Sequence, residues 1–177
     1  MHDANIPATL LNTQTDLKTL VAGLAEAQVV ALDTEFVRES TYYAQLCLLQ
    51  VATAGHIACV DPLAGIELEE FWKVVLRARP LTLMHAGRQD LELIWQHTGR
   101  LPEVLFDTQV AAALLGHPAQ IGYAGLVQRL LGITLDKSHA RTDWSRRPLP
   151  QNKLDYAADD VRYLLEVHER LDAELRT

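Results

Sequence analysis

VVALDTEF, residues 29–36, is the stretch that decides the fold. Val29, Val30, Ala31 and Leu32 form a short continuous apolar run, the pattern of a central strand covered on both faces. The run closes on Asp33 and Glu35, two residues apart, so in an extended chain both carboxylates point to the same side. Taken alone, the triplet also fits a strand that reaches the surface and turns polar. Two distant segments add weight to it. MHAGRQDLELI, residues 84–94, carries Asp90, and LDYAADDVRYLL, residues 154–165, carries Tyr156 and Asp160.

Asp90 opens a helix after an apolar strand over 81–84. Helical spacing aligns it with Ile94, beside Leu91 and Trp95, whereas Glu92 shares a face with Gln96. Asp90 therefore faces inward, although an acid in a first turn also has the plain role of favouring the helix N-terminus. In a helix over 153–175, Asp160 continues the stripe of Ala157, Leu164, Val167 and Leu171. Asp159 instead continues Asp155, Arg162, Glu166 and Arg170, a solvated charged face. Tyr156 lies one turn before Asp160 on the same side. A buried phenol needs a hydrogen-bond partner, so a structural Tyr–Asp contact is the plain alternative.

Inward-facing like charges repel one another and lose hydration, which calls for positive charge among them. Divalent cations supply it. An all-carboxylate set suits Mg²⁺ or Mn²⁺ and is a poor choice for zinc.

Outward from these segments the chain alternates strands and helices. Apolar periodicity predicts a helix over 15–27, strands over 29–34, 44–52 and 56–60, and a helix over 67–77. Gly55 marks a tight turn that makes the second and third of these strands a hairpin. A short strand over 104–106 leads to Asp107, which reads as the cap of a helix running through Leu115, and another helix covers 122–131. This order implies an α/β protein with a mixed sheet of five or six strands flanked by helices. His85 reads as a structural hydrogen bonder, since no second histidine is spaced to share a metal with it. Cys47 and Cys59 sit in apolar stretches and read as small buried hydrophobes of a reducing cytoplasm.

The five residues Asp33, Glu35, Asp90, Tyr156 and Asp160 resemble the constellation of the DEDD superfamily of 3′-to-5′ exonucleases, and more narrowly of ribonuclease D. DTEFVRESTYYAQLCLLQVA, HAGRQDLELI, LDKSHARTDWSRRPL and YAADDVRYLL resemble ribonuclease D segments in that family's order. The superfamily splits by a histidine five positions before the last acid or a tyrosine four before it. Here those positions hold Asp155 and Tyr156, which places the chain with the tyrosine branch.

The resemblance implies a ribonuclease H-like fold and two divalent cations. Asp33 bridges them, Glu35 and Asp160 hold the ion that serves the nucleophile, and Asp90 supports the other. With a phenol pKa near 10, Tyr156 orients the attacking water. The implied reaction is stepwise hydrolysis of RNA from a single-stranded 3′ end, releasing nucleoside 5′-monophosphates in tRNA or other RNA processing. A DNA-directed exonuclease of the same superfamily and a non-catalytic nucleic-acid-binding module on the same fold are the alternatives. Ribonuclease D carries helical substrate-binding domains after its nuclease domain. Residues 1–177 read as the nuclease domain alone, and a monomer.

Composition sets bounds on these readings. Hydrophobic content of 49% with 22% charged residues is that of an ordinary soluble domain, and no apolar run suits a membrane span or a signal peptide. A net charge of −7 is unusual for a nucleic-acid binder, although two divalent ions offset part of it. Local asymmetry supplies the rest: Lys137, Arg141, Arg146 and Arg147 stand against Asp143 alone. Arg146 and Arg147 are candidates for phosphate contact. Trp144, in the same loop, either stacks on a base or pins the loop. Phe36 and Val37 either pack in the core or, as the resemblance implies, contact the terminal nucleotide.

Overall fold

The computed structural model describes residues 6–38, 43–77, 79–136 and 142–177. In chain order the elements are β1 (Ala8–Leu11), α1 (Gln14–Glu26), β2 (Val29–Val37), β3 (Gln45–Thr53), β4 (His56–Val60), α2 (Glu69–Val75), β5 (Leu81–Met84), α3 (Arg88–Thr98), β6 (Leu105–Asp107), α4 (Thr108–Leu114), α5 (Tyr123–Leu131), α6 (Gln151–Arg162) and α7 (Leu164–Leu175). Among the described residues six strands form one sheet, ordered β1-β4-β3-β2-β5-β6. β2, β3 and β4 are antiparallel neighbours, while β1, β5 and β6 join in parallel. VVALDTEF thus lies at the centre of a mixed sheet.

Helices cover both faces. Every residue from Leu46 to Ala52 is buried, as a strand sandwiched between helical layers requires. On one face Val30, Leu32 and Val51 pack with Leu17 of α1, Phe71 of α2 and Ile94 of α3. On the other, Ala31, Ala52 and Cys59 lie under Ala157, Ala158 and Val161 of α6. Each such side chain taken from water contributes about 1.5–3 kcal/mol when large and apolar. These two layers therefore hold β2 rigidly enough to carry charge into the interior. No helix among the described residues is long and apolar enough to cross a membrane.

The fold departs from the sequence reading in four places. β1 was not anticipated: four residues show too little alternation, and its partner β4 is distant in sequence. The long last helix is broken at Tyr163, whose N–H donates to Tyr123 Oη at 3.1 Å, a partner outside the helix. Trp95 points outward at 58% exposure because Leu93, at 1%, takes the inward position beside Asp90 and Ile94. Arg162 leaves the solvated face, binding Asp159 at 2.6 Å and the Ile6 carbonyl at 2.5 Å, which ties α6 to the chain before β1.

Candidate active site

Strand alternation sends Asp33 and Glu35 from β2 toward α6, and Asp160 descends from that helix to meet them. One carboxylate oxygen from each lies within 4.8 Å of the others, and all three residues are partly buried. Thr34 points to the opposite face of the sheet, where its buried hydroxyl donates to Asp90 Oδ1. The Asp-Thr-Glu triplet therefore presents two acids on one side and fastens the fourth acid on the other.

Asp90 is aimed by a tight turn between β5 and α3. Ala86 adopts a left-handed φ of 54°. At Gly87 a Cβ would stand 2.8 Å from Met84 Cβ and Sδ, so only glycine fits without displacement. Asp107 caps α4 by accepting from Gln109 N at 2.8 Å, and it also accepts from Ala86 N at 3.1 Å and Gly87 N at 2.9 Å. One carboxylate thus clamps the start of two helices. Sequence spacing revealed only the first of these roles. His85 bridges Thr108 Oγ1 at 2.9 Å and the Ile121 carbonyl at 3.0 Å, a structural place.

Burial, helped by like-charged neighbours, raises the pKa of every one of these acids. Burial, then Asp90, Asp160 and Glu35, push Asp33 well above the usual carboxylate range. Burial with Asp160 and Asp90 pushes Glu35 up to about 8. Burial and Asp159 push Asp160 up to about 7. Burial also raises Asp90, against the lowering effect of its bond from Thr34. Two unit charges about 5 Å apart repel by about 3 kcal/mol at an effective dielectric constant of about 20. Among the described residues no Lys or Arg forms an ion pair with any of these four acids. An all-carboxylate set with a deficit of positive charge fits hard divalent cations.

Tyr156 is partly buried, and burial followed by Asp160, Glu35 and Asp33 raises its phenol further above the usual tyrosine range. The ring of Trp144 stacks beside it, centroids 6.3 Å apart at 29°. Trp144 is only 3% exposed, so it pins the loop and has no face left for a base.

Arg147 corrects the expectation of a phosphate contact. Its guanidinium grips both carboxylate oxygens of Asp61 at 2.7 Å, the Trp144 carbonyl at 2.8 Å and the Cys47 carbonyl at 2.7 Å. Cys47 is the extra residue of a bulge opposite Glu35 and Phe36, so its carbonyl is free of the ladder and takes this side-chain donor.

Arg146 stays exposed and pairs with Asp143 at 2.9 Å. Phe36 and Val37 are partly buried and pack against the two opposite core layers. Lys137 and Arg141 lie outside the described residues. The outward face of α3 lines a cleft of about 1260 Å³ in which Trp95 and Tyr43 stand near Arg38 and Arg88. Helical spacing alone turns Trp95 inward, so this surface is not legible in the sequence.

A family model described as 3′-5′ exonuclease matches residues 9–176. Ribonuclease D of Nitrobacter hamburgensis is 46% identical over 168 residues, which cover 94% of this chain and 44% of that protein. Escherichia coli RNase D, described as an exoribonuclease involved in structured RNA processing, has a crystal structure similar at TM-score 0.91 and 41% identity, covering 97% of this chain and 46% of that one. The catalytic core of RRP6 from Trypanosoma brucei is similar at TM-score 0.87 and 29% identity, over 97% of this chain and 47% of that one. The chain spans about half the length of the relatives it matches. Its mixed sheet with flanking helices is the ribonuclease H-like fold of these exonucleases.

Two expectations follow from the electrostatics. A carboxyl with a raised folded pKa keeps its proton longer in the native state than in the unfolded chain. Its contribution to stability is therefore lost as pH rises, for Glu35 between about 4.5 and about 8. The urea midpoint of metal-free Glu35→Gln should fall less than that of the parent across this range. A parent midpoint that rises relative to the variant contradicts the assigned shift. The second concerns Arg147 and Arg146. Arg147→Ala leaves Asp61, 6% exposed, without its partner and should cost about 3 kcal/mol in urea unfolding. Arg146→Ala should stay within about 0.5 kcal/mol of the parent. Equal effects would show that Arg147 is not the anchor.

Proposed function

The chain belongs to the 3′-5′ exonuclease family, and from that premise we propose that it is a divalent-cation-dependent exoribonuclease. It removes nucleotides one at a time from a single-stranded RNA 3′ end and releases nucleoside 5′-monophosphates. The observation that carries the reading is the convergence of Asp33, Glu35 and Asp160 within 4.8 Å, with Asp90 fastened to the same strand through Thr34. RNA as the substrate class follows the ribonuclease D relatives.

Mg²⁺ or Mn²⁺, when bound, supplies the positive charge that activates water and stabilises the leaving 3′ oxygen. Asp33, Glu35 and Asp160 would hold such cations together, and Asp90, whose charge also bears on Asp33, would add a fourth carboxylate. Tyr156 Oη keeps its proton, because burial and the surrounding carboxylates oppose its ionisation. A phenol so held is no base at neutral pH, and it orients the attacking water by a hydrogen bond. Trp144 and Arg147 serve the reaction only by holding Tyr156 in place. Upstream nucleotides have the exposed Arg146 and the α3 cleft, whose aromatic faces and arginines suit a strand without sequence preference.

The direct test uses 5′-labelled linear RNA, matched DNA and circular RNA with Mg²⁺ or Mn²⁺. Linear RNA should shorten stepwise from its 3′ end, circles should resist, and a chelator should stop the reaction. DNA cleaved faster than RNA would reassign the substrate, and cleavage of circles would overturn the polarity. Tyr156→Phe should slow single turnover by up to about 10²–10⁴-fold while Mn²⁺ affinity persists. Loss of Mn²⁺ binding in that variant would show that Tyr156 is no mere orienting group.

A further inference from the structure

Gln50 on β3 is fully buried, and neither its amide nitrogen nor its amide oxygen has a hydrogen-bond partner among the described residues. Buried side-chain amides are almost always paired, so a native orphan of this kind points to a use. Its position suggests which one. In the antiparallel ladder Gln50 lies directly opposite Asp33, with Cys59 on its other side. Residues so paired share a face of the sheet, with Cβ atoms about 4.5–5.5 Å apart. On the same strand and face its neighbours are Leu48 and Ala52, and Ala157 and Ala158 of α6 cover this layer. These are apolar. The Cys59 thiol, pushed up to about 12 by burial, is only a weak partner. Asp33 is thus the one strong acceptor directly across the ladder from the orphaned amide.

We infer that Gln50 is a positioning residue for Asp33: in the cation-loaded protein its Nε2 donates to the Asp33 carboxylate and fixes which oxygen faces the ions. This rests on the reading of the acids as cation ligands. A Gln amide carries two donor hydrogens, and an ionised carboxylate has acceptor sites to spare beyond those used on a cation. Polar neighbours of this kind commonly change metal affinity by about 10–100-fold.

Gln50→Leu keeps the side chain's approximate size and removes the orphaned atoms. Calorimetric titration should show Mn²⁺ binding weakened about 10-fold, while the metal-free urea midpoint is equal to or above the parent's. Gln50→Met provides a second variant should leucine fail to fold. In the parent, the Gln50 side-chain amide resonances should shift when Mg²⁺ is added. Unchanged Mn²⁺ affinity in a folded variant overturns the assignment, as does an amide signal indifferent to Mg²⁺. A variant that loses only metal-free stability would reduce Gln50 to a packing residue. If the parent itself binds no Mn²⁺, the cation reading and this assignment fall together. If the parent binds and the variant binds equally, this assignment falls alone.

Discussion

Asp33 and Glu35 leave the central strand on the side where α6 brings Asp160 down to meet them, so three carboxylates share a space of 4.8 Å. Their mutual repulsion and poor hydration work against the folded state, and only the stiffness of the surrounding layers holds them together. β2 is braced by β3 and β5 on its two edges and by apolar side chains on both faces. The consequence is a set of acids poised to take cations. Their raised pKa values are the mark of charge that the protein itself leaves uncompensated.

The surrounding polar groups make sense as supports of that cluster. Thr34 ties Asp90 to the central strand from the opposite face. Asp107 clamps the turn from which α3 departs. Arg147 joins the bulge at Cys47 to Asp61 and to the Trp144 backbone, and Trp144 stacks on Tyr156. Each contact bears on Asp90 or Tyr156, the two residues that flank the three-carboxylate cluster.

Much of this was legible in the amino-acid order, for a physical reason. Acids set into apolar runs at strand or helix spacing cannot hide their direction, which is why Asp33, Glu35, Asp90 and Asp160 could be turned inward and Asp155 outward. The central strands and most helices followed from the same periodicity. Contacts between segments far apart in sequence were not legible. Arg147 reads as a phosphate contact until Asp61, 86 residues away, is placed against it. Trp95 and Leu93 are both apolar, and the spacing of α3 alone does not choose which one faces in. β1 becomes a strand only because β4 offers an edge. The break at Tyr163 exists because a phenol from α5 reaches its amide.

The most direct test is thermal unfolding of the parent and of Asp33→Asn near neutral pH, without metal and across an Mn²⁺ titration. Without metal the variant should melt at or above the parent, because it no longer carries a carboxyl whose ionisation the folded state opposes. Saturating Mn²⁺ should then raise the parent far more than the variant. At a hundredfold excess over Kd the gain is about 2.7 kcal/mol, or about 5–10 °C for a domain of this size. A variant that melts below the parent without metal and gains as much from Mn²⁺ would contradict the view that these carboxylates are held together to bind cations.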